Sequence, residues 1–166
     1  MEKNYKRGTP PFLLDKKSKT IKTANVNISL TVTDILDIVE VKHEIELKFH
    51  LLMEWFDSRL KFHNLKPSLS SNVPTEEEIA SLWLPNVIFS NTKDNEATYL
   101  TPDTIIAVKR EGTIAHAGAE AVHEVNIFDG GENRITFQQG YAKYFKCEYQ
   151  LHLYPFDTQV PQYNYC

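Results

Sequence analysis

The histidines, cysteines and acidic residues decide which chemistry this chain could carry. Its six histidines are scattered, and neither a His-x3-His nor a Cys-x2-Cys spacing typical of a metal site occurs. The numerous carboxylates form no motif for acid–base chemistry. The sequence also lacks a Gly-x-Ser-x-Gly nucleophile motif and a glycine-rich phosphate loop. We therefore expect no enzyme activity, no cofactor and no metal ion.

The composition is that of one ordinary globular domain over residues 1–166. Hydrophobic residues make up 42% of the chain and charged residues 24%, with a net charge of −4. A nucleic-acid partner would require clustered Lys and Arg, so this class of partner is excluded. No stretch approaches the ~18 apolar residues that would span a bilayer. The polar N-terminus does not resemble a secretory signal, so the fragment is expected to have neither a signal peptide nor a transmembrane segment.

Two stretches of alternating polarity predict a pair of long strands. Apolar residues occupy every second position from Val26 to Val32, and the alternation is stricter from Glu44 to Trp55. A period of two separates charged from apolar side chains in a strand, whereas a helix would scatter them. The two stretches flank a charged corner at 40–43, which predicts an antiparallel hairpin. The apolar face of the second stretch consists of Ile45, Leu47, Phe49, Leu51, Met53 and Trp55.

The remaining elements are shorter. Apolar runs at 86–89 and 104–108 predict strands, and the small-residue stretch 112–121 predicts a loop. Asp129-Gly130-Gly131 predicts a turn, followed by a last long strand from 134 to 153.

One short helical turn is predicted near residues 75–82. Thr75 and Glu78 have the spacing of a capping box, in which a side chain at each position satisfies a backbone N–H of the other. The fold class that follows from these elements is all-β and antiparallel.

Three motifs make the prediction more specific. One follows Cys147 by seven residues and reads Tyr154-Pro155-Phe156-Asp157. Another, Trp55-Phe56-Asp57-Ser58-Arg59, closes the second strand, and the third is Trp83-Leu84-Pro85-Asn86. In this order and at these separations they resemble the extracellular domain of the Cys-loop receptors, which are pentameric ligand-gated ion channels. The resemblance extends over about residues 5–160.

The resemblance implies an Ig-like antiparallel β-sandwich of the neurotransmitter-receptor type, here incomplete because the outer-sheet strands are missing. The family's second signature cysteine would fall at position 161, where this chain has Pro161. Two interpretations remain open. Either Cys147 pairs with Cys166 in a longer loop, or the chain leaves the family pattern after Val160 through a truncated gene model or an alternative exon.

The resemblance also implies an agonist site between adjacent subunits, where aromatic faces often hold the agonist amine. By position, His50 corresponds to a residue of the complementary face, and Thr136 and Gln138 correspond to a second strand of that face. Phe89 and Ser90 fall on the first loop of the principal face. The alternatives are a solvated strand histidine at His50 and a core role for Phe89.

Other positions correspond to parts of the receptor outside the agonist site. The corner Glu40-Val41-Lys42 and the tip Tyr154-Pro155-Phe156-Asp157 match the segments that touch the pore region in the family. Asn27 begins an Asn-x-Ser glycosylation sequon, which matters only if the chain is secreted. Structural roles are expected for Trp55, Asp57, Arg59, Trp83 and Pro85, with an ion pair between Asp57 and Arg59.

The function implied is the extracellular, plasma-membrane ligand sensor of a channel subunit. Its expected partners are a small neurotransmitter-like ligand, the other subunits of a homo- or hetero-pentamer, and the membrane domain of the parent subunit. The chain lacks the pore, so we do not expect it to act as a channel alone. Two alternatives are a soluble binding protein of the acetylcholine-binding type and an unrelated β-sandwich binding module.

Overall fold

A computed structural model of the chain describes residues 5–14, 21–68, 72–92, 103–118 and 125–147. Within these residues the chain forms antiparallel sheets with one short α-helix, which confirms the predicted all-β fold class. The elements are β1 (Phe12–Leu14), β2 (Ile21–Thr23), β3 (Asn27–Val39), a 3-10 turn (Glu40–Lys42), β4 (Glu44–Trp55), β5 (Lys61–His63), α1 (Glu76–Ser81), β6 (Ile105–Lys109), β7 (Ile114–Gly118), β8 (Val125–Asp129) and β9 (Arg134–Lys146).

The predicted hairpin of two long strands is present. β3 and β4 are hydrogen-bonded neighbours at one end of a sheet with the order β3-β4-β9-β6. The 3-10 turn joins them, and His43 ends the turn in the left-handed conformation with φ of 54°. Phe49, Leu51, Met53 and Trp55 of β4 are only 1–3% exposed, so the strict alternation predicted the buried face of this strand correctly.

A separate sheet with the order β5-β8-β7 contains the main difference from the predicted elements. The stretch 112–121 was predicted to be a loop, and this is wrong because β7 occupies Ile114–Gly118. β7 pairs with β8 through an irregular register between Ile114 and His116. Such a bulge interrupts the alternation of side chains, so the sequence pattern does not predict the strand.

The prediction of a strand at 86–89 is also wrong, since these residues form no regular element. An apolar run becomes a strand only where a neighbouring backbone offers a ladder of hydrogen bonds. The run at 104–108 has such a neighbour, because β6 pairs with β9 from Ile105↔Gln138 to Lys109↔Arg134. The last long strand ends at Lys146, and residues 148–153 lie outside the described part of the chain.

The chain divides into two compact units. The first is drawn from Met1–Ser29, Leu52–Pro85 and Thr104–Gln138, and the second from Leu30–Leu51, Asn86–Asp103 and Gln139–Cys166. The buried apolar residues of the first unit include Met53, Trp55, Leu60, Leu65, Leu82, Ile106, Val108, Phe128, Ile135 and Phe137. Those of the second unit include Phe49, Leu51, Tyr141 and Cys147.

In the second unit, β3 has an apolar face that the described residues leave open. Leu30, Val32, Leu36 and Ile38 alternate along the strand and are 46–54% exposed. They belong to the end strand of the sheet, and an exposed, apolar end strand is a template for pairing with a further strand.

The short helix of the first unit begins with a complete capping box. The backbone N–H of Glu78 donates to the Thr75 hydroxyl at 3.3 Å, and the Glu78 carboxylate accepts from the Thr75 N–H at 2.8 Å. These bonds satisfy backbone donors that a helix start otherwise leaves without a partner. They confirm the helical turn predicted near 75–82.

We expect Thr75→Ala to lower the free energy of unfolding by about 1 kcal/mol, because the N-cap side chain is lost. Urea unfolding followed by tryptophan fluorescence measures this change. Thr113→Ala, a substitution at an exposed threonine outside the helices and strands, is the matched control. An equal loss in the two variants would contradict a capping role for Thr75.

Candidate functional site

His50 has an exposed side chain on β4. Its ring lies against Gly140 of β9, where an added Cβ would be 3.4 Å from the His50 Cε1 and 3.5 Å from its Nδ1. These are ordinary van der Waals distances, so the imidazole lies over the neighbouring strand close to Gly140. Gly140 was not singled out by the sequence, since a glycine in a strand carries no sign of the side chain that covers it.

Phe89 lies in an aromatic cluster of the second unit. Its ring makes edge-to-face contacts with Phe49 at 5.4 Å, Tyr141 at 5.3 Å and Phe145 at 6.2 Å between ring centroids. The ammonium group of Lys143 lies 5.9 Å from the Phe89 centroid, at the edge of the range for a cation–π contact. Phe89 is therefore half-buried among aromatic rings with a cation on one side.

The turn after Phe89 is hydrogen-bonded to the end of β9. The Thr92 hydroxyl donates to the Phe89 carbonyl at 2.9 Å, and the Asn91 amide donates to the Lys146 carbonyl at 2.7 Å. The Lys146 N–H returns a bond to the Asn91 carbonyl at 3.0 Å. These bonds fix the backbone on both sides of Ser90, which is exposed.

Thr136 and Gln138 lie two residues apart on β9, so they point to the same side of the strand. Thr136 is 7% exposed, and its hydroxyl donates to the Ala107 carbonyl of β6 at 3.1 Å. Gln138 pairs with Ile105 in the register and has an exposed side chain. The Gln138 amide is thus open to solvent, whereas the Thr136 hydroxyl is engaged with its neighbouring strand.

Asp57 and Arg59 form a buried, bidentate ion pair in the first unit. Arg59 donates from Nε to Asp57 Oδ1 at 2.8 Å and from Nη2 to Oδ2 at 2.6 Å. The side chains are 0% and 9% exposed. The remaining guanidinium nitrogen donates to the Thr9 carbonyl at 2.8 Å. The hydrogen bonds with Asp57 raise the pKa of Arg59 above its ordinary value, so the guanidinium stays charged.

Tyr5 joins this ion pair to the tryptophans. The Arg59 guanidinium lies 4.7 Å from the Tyr5 ring centroid, and the Tyr5 hydroxyl accepts from the Trp83 backbone N–H at 2.6 Å. Burial raises the pKa of Tyr5. Trp83 contacts Trp55 edge to face at 5.9 Å between centroids, and Pro85 follows it half-buried.

The corner Glu40–Lys42 of the second unit projects its side chains into solvent. Val41 is 92% exposed, the largest fraction among the exposed large hydrophobic residues that the structure describes. The backbone of the corner is nevertheless fixed, because the His43 carbonyl accepts from the Cys147 N–H at 2.8 Å. Cys147 itself is buried.

A family model for the neurotransmitter-gated ion-channel ligand binding domain matches residues 1–163. The chain belongs to this family. It is 24% identical over 150 residues to the gamma-aminobutyric acid receptor subunit gamma-3 of Mus musculus, covering 88% of this chain and 27% of the relative. It is 26% identical over 138 residues to the glutamate-gated chloride channel of Drosophila melanogaster, covering 82% of this chain and 25% of the relative. The chain thus spans about a quarter of the length of these relatives.

Membership of the ligand-binding domain family establishes the predicted resemblance, but it does not test the individual site residues. The assignments of His50, Phe89, Ser90, Thr136 and Gln138 to an agonist site stay predictions. The same holds for the pore-coupling role of Glu40, Val41 and Lys42, the structural roles assigned above, and the modification of Asn27, which is exposed. The predicted tip Tyr154, Pro155, Phe156 and Asp157, and the Cys166 partner of Cys147, lie outside the described residues.

Two further properties of this ligand-binding domain concern the described residues alone. No three His, Cys, Asp or Glu side chains among them are grouped closely enough to hold a metal ion. In that part of the chain, no helix has both the length and the apolar character needed to cross a bilayer.

Proposed function

We propose that the chain is the extracellular ligand-sensing part of a subunit of a pentameric neurotransmitter-gated ion channel. Agonist binds between adjacent subunits, and the domain transmits binding to the pore of the parent subunit. The observation that carries this proposal is the family match along residues 1–163. The role is one of binding and conformational coupling, with no catalytic step.

The proposed agonist is a small amino-acid transmitter. The relatives above are named for gamma-aminobutyric acid and for glutamate, and both of these molecules carry a carboxylate and an ammonium group. An imidazole has at least one N–H to donate in either protonation state. His50 is exposed and rests over Gly140, so we assign it as a donor to the agonist carboxylate.

The other site residues have different parts in this proposal. Gln138 presents an exposed amide that can bind agonist directly. Thr136 acts indirectly, because its bond to the Ala107 carbonyl holds β9 against β6. Phe89 and Ser90 supply the opposite face of the interface, where the bonds of Asn91 and Thr92 fix the backbone.

The corner at Glu40–Lys42 is the proposed contact with the membrane domain. Val41 is 92% exposed, so its apolar side chain is accessible to a surface that would cover the corner. Its backbone is tied to Cys147 through His43, so the corner and the segment that leads to Tyr154, Pro155, Phe156 and Asp157 start from a common point. In this proposal, a displacement of the corner or of the end of β9 moves the contact with the membrane domain. Agonist binding then shifts the receptor between two conformational states.

The experiment is an agonist dose–response of the full-length parent receptor, recorded as current with gamma-aminobutyric acid and with glutamate. We expect His50→Ala to raise the half-maximal agonist concentration about 10- to 100-fold, the effect of losing one hydrogen bond to a charged group. His50→Gln retains an N–H donor and should shift the curve less. Gly140→Ala should leave the curve nearly unchanged, because the added Cβ would lie 3.4 Å from the imidazole, an ordinary van der Waals distance.

Lys48→Ala is the matched control, since Lys48 lies two residues from His50 on the same side of β4 and is exposed. An unchanged curve for His50→Ala, or an equal shift for Lys48→Ala, would remove His50 from the site. Sequencing the transcript beyond codon 160 tests the receptor assignment itself. A continuation with four apolar segments of about 20 residues supports it, and a stop directly after Cys166 excludes a channel encoded by that message.

A further inference from the structure

A cavity of about 460 Å³ lies in the first unit, between β5, the segment 72–74 and α1. Leu60, Leu65, Val108 and Ile135 line it and are all 8% exposed or less, so its floor is apolar. The volume falls within the range of pockets that hold small organic ligands.

The wall of the cavity at residues 72–74 is held in place by Asn72. Its Oδ1 accepts from the Lys66 N–H at 2.8 Å, and its Nδ2 donates to the Lys66 carbonyl at 2.8 Å and to the Val108 carbonyl at 3.0 Å. The Val108 N–H adds a bond to the Asn72 carbonyl at 2.9 Å. The wall is therefore anchored to β6, and a ligand would enter a cavity that is already formed.

The rim of the cavity is charged. Glu77 and Glu78 of α1 lie on one side, and Lys61 and His63 of β5 also line it. With histidine counted as neutral, two carboxylates face one ammonium group. The Glu78 carboxylate is engaged in the capping box, whereas Glu77 is exposed. The local charge favours a cation, and Glu77 is the carboxylate placed to pair with it.

We propose that this cavity binds a small primary amine with an apolar body, the body on the floor and the ammonium group against Glu77. This inference rests on the cavity, because its apolar floor gives the body of the ligand a surface to contact. A surface carboxylate alone would bind only the ammonium group. None of the residues assigned to the agonist site lines the cavity, so the proposal is independent of that site.

Phenethylammonium is a suitable probe, and phenylacetate has a similar body with the opposite charge. Ligand-detected NMR titration of the full 166-residue chain should give tighter binding for phenethylammonium. Glu77→Gln should weaken that binding about 2- to 5-fold, the effect of one solvent-exposed ion pair. Val73→Trp places an indole at the mouth, where Val73 is 59% exposed, and should weaken it at least about tenfold by filling the cavity.

Each variant has a matched control. Glu76→Gln removes a neighbouring carboxylate of the same helix that does not line the cavity, and Ile88→Trp adds an indole at another exposed apolar position. Both controls should leave the affinity unchanged. Equal affinity for the two probes, equal weakening by Glu76→Gln and Glu77→Gln, or full binding by Val73→Trp would overturn the proposal. The four substituted residues are all exposed, so circular dichroism should show an unchanged fold for each variant.

Discussion

Replacing Asp57 with Asn should lower the free energy of unfolding by about 3–5 kcal/mol, the cost of leaving a buried charge without its partner. The substitution keeps the shape of the side chain but removes the charge that faces Arg59. The Asp57 carboxylate is fully buried and accepts two bonds from the guanidinium. Urea unfolding of the full chain, followed by the fluorescence of Trp55 and Trp83, measures the loss.

Two controls separate this effect from the general cost of changing a charged residue. Lys109→Gln breaks the Lys109–Glu111 pair, in which the lysine side chain is 50% exposed, and should cost at most about 1 kcal/mol. The double variant Asp57→Leu with Arg59→Met removes both charges and should be more stable than Asp57→Asn. A double variant that is less stable would contradict the assignment of the loss to an unpaired guanidinium.

Gly130→Ala should destabilise the domain by about 3 kcal/mol through overpacking. A Cβ at Gly130 would overlap the Asp57 carbonyl oxygen and lie 2.9 Å from the Leu60 carbonyl oxygen. The Leu60 carbonyl oxygen accepts from the Gly130 N–H at 2.9 Å, and the Asp57 carbonyl oxygen accepts from the Leu60 N–H at 3.1 Å. Neither oxygen can move aside without breaking its hydrogen bond. The same urea titration measures the change.

Gly8→Ala is the matched control for this prediction. No heavy atom lies within 4 Å of a Cβ built at Gly8, and the position is exposed, so the free energy of unfolding should change by about 0.5 kcal/mol or less. If Gly130→Ala were as mild as Gly8→Ala, the close approach of the turn to Asp57 and Leu60 would be excluded.

The sequence predicted the turn at Asp129-Gly130-Gly131 but not the reason why Gly130 matters. Turn propensity depends on neighbouring residues, so it is visible in the sequence. The contact with Asp57 and Leu60 depends on chain segments about seventy residues away, which only the fold brings together.

For the two long strands, too, the sequence predicted a local pattern but not the packing of that pattern. β3 and β4 have similar patterns, yet β4 buries Phe49, Leu51, Met53 and Trp55 while Leu30 of β3 remains 54% exposed. Alternation states which side chains share a face, but not whether another part of the molecule covers that face. Burial of β3 depends on chain outside its own segment.

The candidate site could be predicted only in part. The ordered motifs at Trp55, Trp83 and Cys147 resemble the receptor family, and that resemblance predicts His50 and Gln138 at an interface between subunits. The resting place of His50 over Gly140 required the pairing of two strands far apart in sequence. The cavity beside Glu77 has no signature in the sequence either, because its walls come from β5, α1 and β6.

The sequence alone therefore predicted the local structure, namely the all-β class, the long hairpin and the capping box at Thr75. It also contains the ordered motifs that resemble the family. The tertiary structure decided which faces are buried, how the irregular β7 pairs with β8, and which chain segments contact Asp57, His50 and Gly130. The physical reason is that turns, caps and alternation depend on residues a few positions apart. Packing and strand register instead depend on segments that the chain must first bring into contact.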